Sequence, residues 1–225
     1  MKVKLPVILV LAVMIIMLPL MTYAGSEEFF ERVNYKGAFG STNWAAGWTA
    51  LSQYGFFAQA TEQTAEEVEV FDADIASGTT VYWTADKTYY LNGRVFVDDG
   101  AVLNIEAGTV IKGREGEGEN ASALIVARGG KIYAEGTAQN PIIFTAAEDD
   151  LNNPLIPPAT QQGLWGGVII LGKATINFPG GETNIEGIPT TEQRGLYGGG
   201  ANPDDDDCSG VFKYVSIRHG GTEIG

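Results

Sequence analysis

The chain of 225 residues sets 14 Lys and Arg against 28 Asp and Glu, a formal charge of −14. So acidic a surface repels phosphate backbones and anionic headgroups, which argues against nucleic acid as a partner. The single cysteine, Cys208, excludes a disulfide within the chain, and a thiol eleven positions from the only histidine, His219, has no evident base to make it a nucleophile.

At the amino terminus, Met1-Lys2-Val3-Lys4 precedes an apolar run from Leu5 to Met21 and then Thr22-Tyr23-Ala24-Gly25. This is the pattern of a secretory signal peptide over 1–24, with small residues at the cut. Pro6 and Pro19 interrupt the run, which is shorter than the roughly 20 residues of a comfortable span, so cleavage is expected and no membrane span after it. Losing Lys2 and Lys4 leaves 12 basic against 28 acidic residues, or −16. Residues 25–78 read as an amino-terminal cap with lead-in strands. Phe29, Phe30, Tyr35, Phe39, Trp44, Trp48, Tyr54, Phe56 and Phe57 crowd there, and bulky rings cover a first coil efficiently. The competing use of such rings is a sugar platform. Within Thr61 to Val70, Val68 and Val70 alternate with acidic residues as in a strand.

From Thr79 the alternation strengthens through Val81, Trp83, Tyr89, Leu91, Val95 and Val97 until Asp99-Gly100 turns the chain. The segment Ala101 to Gly113 then reads strand, glycine corner, strand. Aligned with Ser122 to Ala134, it sets Leu103 over Leu124, Ile105 over Val126, Gly108 over Gly129 and Ile111 over Ile132, each at an offset of 21. A period near this length with glycine corners and no helix is that of a β-solenoid coil, whose inward apolar row is buried only by stacking on its neighbours. Pro141 to Thr145 reads as a strand on a third side. Gly166 to Ile176 reads as a further coil 44 residues beyond Leu124, Val126 and Ile132, about two coils, with Glu148 to Gly163 as a protruding corner loop. Val211 to Ile217 begins one more. The expected fold is all-β, a right-handed parallel β-helix over 79–225 with long corner loops.

Several segments carry more than periodicity: Val33 to Phe39, Trp44 to Trp48, Trp83 to Tyr89, Ile105 to Gly113, and Trp165-Gly166-Gly167-Val168-Ile169-Ile170-Leu171-Gly172-Lys173-Ala174. On these the chain resembles large exported β-helix surface proteins of Bacteroidota-type bacteria. The resemblance implies the fold and an outer-surface or secreted location, and it transfers no catalytic residue. Members of that family continue for several further coils, so it also implies that a chain ending at Ile224-Gly225 is a fragment.

Chemistry is sparse. Asp204-Asp205-Asp206-Asp207, within the Gly- and Thr-rich stretch Pro179 to Gly210, supplies the oxygens that a hard cation wants, and calcium is the candidate. The run lacks the spaced acids of an established calcium loop, so the competing reading is a solvated acidic loop. Lys213 and Arg218 are the nearest bases and alternate outward, as a polysaccharide lyase would need. His219 reads as a strand-end residue. The function expected is structural or adhesive, presenting a rigid face to polysaccharide or cell-surface glycans. The alternatives are a lyase or glycoside hydrolase, and a non-catalytic segment of a larger surface filament.

Overall fold

The computed structural model describes residues 45, 48, 66–151 and 161–225, which belong to one compact unit running from 45 to 225. The expected signal peptide, the fragments of resemblance before residue 45 and most of the aromatic segment lie outside the described residues.

The chain climbs in triangular coils. β1 (Glu66–Val70) opens the stack. Then come β2 (Thr80–Trp83), β3 (Lys87–Leu91) and β4 (Arg94–Val97), followed by β5 (Val102–Ile105), β6 (Val110–Gly113) and β7 (Ala123–Val126). The next coil is β8 (Lys131–Glu135), β9 (Ile142–Ala146) and β10 (Gly167–Ile170). An antiparallel pair, β11 (Thr183–Asn184) and β12 (Leu196–Tyr197), precedes the last strands, β13 (Gly210–Lys213) and β14 (Val215–Ile217). Stacking produces three parallel sheets: A, in the order β1-β3-β6-β9-β14; B, in the order β2-β5-β8-β13; and C, in the order β4-β7-β10. This is a right-handed parallel β-helix, the hand that parallel crossovers favour. Helix is confined, among the described residues, to single 3₁₀ turns at Gly118–Asn120 and Gln193–Gly195.

Alternation fills the interior. On sheet B, Val81, Leu103 and Ile132 form one inward row and Trp83, Ile105 and Ala134 another; on sheet C, Val95 and Leu124 lie beneath Val168. Leu103, Ile132, Leu124 and Val95 are almost wholly removed from water, each side chain contributing about 1.5–3 kcal/mol of transfer free energy. Trp165 fills the space over Gly113, where a Cβ would stand 2.7 Å from its ring, so this interior position requires glycine.

The 21-residue alignment is corrected by this register. Leu103 and Leu124 lie on different sheets, as do Ile105 and Val126, and Ile111 and Ile132. The repeat on sheet B is 22 residues from Thr80 to Val102 and 29 from Val102 to Lys131. Residues 114–122 join β6 to β7, where residues 92–93 suffice to join β3 to β4. This insertion advances the sequence by about one side of the triangle, so a strand on B imitates one on C. The glycine corners reinforce the illusion, because Gly108 (φ 91°) and Gly129 (φ 83°) share a left-handed conformation at different corners.

The pairing of Leu124 with Val168 and of Val126 with Ile170 is correct, but it spans one rung instead of two, and Ile132 is stacked by Gly210, not Ile176. Beyond Ile170 the chain leaves the coil. The strand read around Val68 and Val70 is the first rung of sheet A, paired with β3, so stacking starts at Glu66. Trp48, expected with its neighbours over the first coil, instead meets Tyr214 of the last coil edge-to-face, with 5.0 Å between ring centroids.

Candidate functional site

Among the described residues, nothing folds across the outer face of sheet B. Tyr82, Asn104, Tyr133 and Val211 occupy one outward row on consecutive strands. Tyr82 is 68% exposed and Val211 38%, with Asn104 and Tyr133 half-buried by their neighbours. Lys131 flanks the row on one side, and Glu135 and Lys213, paired in register on adjacent strands, flank it on the other. The result is a flat strip with two phenol rings and an amide, held by the parallel ladder that pairs each of its four strands with a neighbour.

The outer face of sheet A is different from Tyr90 onward. Tyr90, Lys112, Ile143, Thr145 and Arg218 are all buried. The segment after β9, expected to protrude, begins by folding back: Asp149 is 4% exposed and caps a row of polar groups. The Thr145 hydroxyl donates to Asp149 Oδ2 at 2.6 Å, and Lys112 Nζ donates to the Asp149 carbonyl at 2.9 Å. Arg218 Nη1 stands 3.9 Å from Asp149 Oδ2, and Arg218 Nε donates to Ser216 Oγ at 3.1 Å. Burial pulls the Arg218 guanidinium down to about 10, with Asp149 opposing the shift. This is a desolvated structural knot. Arg218 does point outward from its strand as expected, yet it is covered, and it stands on sheet A whereas exposed Lys213 stands on sheet B.

Residues 171–209 fold over sheet C, forming a second apolar cluster outside the coils. Phe96, Ala123, Ile125 and Ala127 of the outer face meet Leu171 and Ile188, with Ile185, Tyr197 and Ile224 against them. Arg194 clamps this insertion. It makes a bidentate contact to Asp72 (2.8 and 2.9 Å), reaches Asp98 at 3.3 Å, bonds both oxygens of Glu192 (2.9 and 2.7 Å) and lies 4.0 Å above the Phe96 ring. The Glu192 carboxyl is held below the usual range by hydrogen bonds from Arg194, whose own affinity for its proton rises. Arg128 adds a bond to Glu182 at 2.8 Å. An apolar recess of about 260 Å³ remains between Ile170, Ile176, Ile185 and Tyr197.

The acidic run lies at the exposed end of this insertion. Asp207 Oδ2 accepts from the Lys173 N–H and Asp205 Oδ1 from the Thr175 N–H, both at 2.7 Å, and the Thr175 contact lowers the Asp205 carboxyl. Asp204 Oδ1 accepts from the Asp206 N–H at 3.1 Å. Three of the four carboxylates therefore accept from backbone N–H groups, and two of them, Asp205 and Asp207, fasten the segment at Lys173 to Thr175. Among the described residues no group of three or more His, Cys, Asp or Glu side chains is arranged to hold a metal ion. Cys208 is an exposed loop residue, and His219, left-handed at φ 57°, lies at the end of β14 with Nδ1 2.7 Å from the Gln161 carbonyl. The sequence did not single out Tyr82, Asn104 and Tyr133, because they form a row only once registers of 22 and 29 residues are known.

These coils, with two faces covered and one left open among the described residues, define a parallel β-helix scaffold of the kind found in surface and carbohydrate-active proteins. The family described as Pectate-lyase like beta helix domain matches residues 73–225, more than half of the chain, and the protein belongs to that family. Neither the curated proteins nor the solved structures contain a match. No helix among the described residues is long and apolar enough to cross a membrane.

Proposed function

We propose that this is an exported surface β-helix that binds glycans on the outer face of sheet B. The carrying observation is the Tyr82-Asn104-Tyr133-Val211 row, exposed at Tyr82 and Val211 and half-buried between them, on a face that no insertion among the described residues covers. Phenol rings offer flat apolar area against the C–H faces of sugars, and the Asn104 amide can both donate to and accept from hydroxyl groups. The amino-terminal segment 1–24 supplies the export signal in this reading. The enzyme alternative asks acids and bases to converge in one cleft. The acid run, Lys213 and Arg218 instead stand respectively on the insertion over sheet C, on open sheet B and beneath the cover of sheet A.

The test is the full chain on a panel of neutral and acidic polysaccharides, with calcium and with chelator, reading retention and the release of new reducing or unsaturated ends. Retention without cleavage, weakened by replacing Tyr82, supports the proposal. Calcium-dependent cleavage lost on replacing Asp204 to Asp207 with Asn overturns it in favour of the enzyme. Neither retention nor cleavage favours a structural segment of a larger filament.

A further inference from the structure

Resting on the glycan reading, we infer that sheet B takes an extended, uncharged β-(1→4)-linked polysaccharide laid along the solenoid axis, with Tyr82 and Tyr133 stacked on alternate sugar units. Neighbouring strands stand about 4.8 Å apart, close to the length of one pyranose unit in an extended chain. Tyr82 and Tyr133 occupy the same outward row with the Asn104 strand between them, which puts their positions two rungs, or about 9.6 Å, apart. A β-(1→4) chain close to twofold symmetry turns the same face toward a flat surface at every second unit. Both rings then meet equivalent sugar faces, while Asn104 lies beneath the intervening unit, whose hydroxyl groups its amide can bond. An α-linked chain that coils leaves a flat strip after a few units.

Charge narrows the class. The strip is flanked by Lys131 on one side and by the neighbours Glu135 and Lys213 on the other, without the concentration of cations that a polyuronate requires. The chain as a whole carries −14, which repels a polyanion further.

The experiment measures full-length protein by titration calorimetry against β-(1→4)-linked glucan oligosaccharides of two to six units, soluble amylose and polygalacturonate. The expected result is binding to the β-linked series, with the largest step in affinity between two and three units, the first length that reaches both rings. Tyr82→Ala and Tyr133→Ala should each weaken it about tenfold, and Tyr82→Phe should retain it. Unchanged thermal unfolding of these surface variants certifies their fold. Tighter binding to amylose or polygalacturonate that still depends on Tyr82 and Tyr133 overturns this inference and leaves the glycan reading standing. β-Linked binding indifferent to both substitutions, or no saccharide binding at all, overturns both.

Discussion

Replacing Arg194 with Ala should release the insertion over sheet C without unwinding the coils. Arg194 links positions 122 apart in sequence, and the side chains concerned are 30% exposed for Arg194, 46% for Asp72, 23% for Asp98 and 29% for Glu192. Solvent therefore screens each pair, and the Asp72 contact most of all. Taking each partly exposed pair at well under 1 kcal/mol, and the stacking on Phe96 at about 0.5–1 kcal/mol, gives about 2 kcal/mol for the clamp. That corresponds to about a 30-fold change in the ratio of closed to open insertion. Hydrogen exchange resolves the two regions. The Ile185 N–H, bonded to the Gly195 carbonyl, and the Gly198 N–H, bonded to Gly172, should exchange about 30-fold faster in Arg194→Ala. The Val102 N–H, bonded to Thr79, and the Lys131 N–H, bonded to Ala101, should be unchanged. Arg194→Lys keeps the charge without the fork and should recover part of the protection. Equal acceleration in both regions, or none in either, refutes the reasoning, because the insertion would then be integral to the coils or held by its apolar contacts alone.

Three further outcomes are expected. Trp165 is fully buried and its Nε1–H donates to the Arg218 carbonyl at 2.7 Å, so Trp165→Phe should lower unfolding free energy in urea by about 1–3 kcal/mol and Trp165→Ala by about 3–5 kcal/mol. Acid should loosen the Arg194 clamp. Because Glu192 is depressed in the folded state, its contribution is present above its ordinary value of 4.5 and is lost as pH falls through the lower folded value. Proteolysis within 183–197 should accelerate across that window and much less so in Glu192→Gln. Asp205→Asn with Asp207→Asn should speed exchange of the Lys173 and Thr175 amides equally with calcium and with chelator; chelator alone doing so in the unaltered protein identifies calcium as the fastener instead.

The coil architecture was legible where the sequence keeps its period. Val81, Trp83, Tyr89, Leu91, Val95 and Val97 alternate without interruption, and β2, β3 and β4 follow one another across short corners. Legibility failed at 114–122, because equal-looking strands on different sides have the same inward chemistry and only corner length distinguishes them. The acid run was visible, yet its use was not: Asp207 meets Lys173, 34 positions earlier, across a fold that no local pattern encodes. The knot of Lys112, Thr145, Asp149 and Arg218 was equally hidden. Its members come from two strands, the start of a long connection and the end of β14, and burial of such charges is contrary to composition.

The placement of insertions also explains why one face is open. From sheet B to sheet A the connections are short: 84–86, 106–109, 136–141 and then Tyr214 alone. From A to C they lengthen from 92–93 to 114–122 to 147–166, and from C to B they grow from 98–101 and 127–130 to 171–209. Extra chain therefore emerges at the two edges of sheet C. Residues 147–151 fold back over A, and 171–209 covers C, burying Asp149 on one side and Ile188 on the other. Sheet B shares its B-to-A edge only with short connections, so no described insertion from that edge folds across Tyr82, Asn104 and Tyr133. A solenoid tolerates long corners because loop closure costs rise slowly with length, and the outward face is free to differ from coil to coil while the inward row is fixed by stacking. The face left open among the described residues is thus selected by which corner stays short, and in the proposed glycan reading its outward residues set specificity.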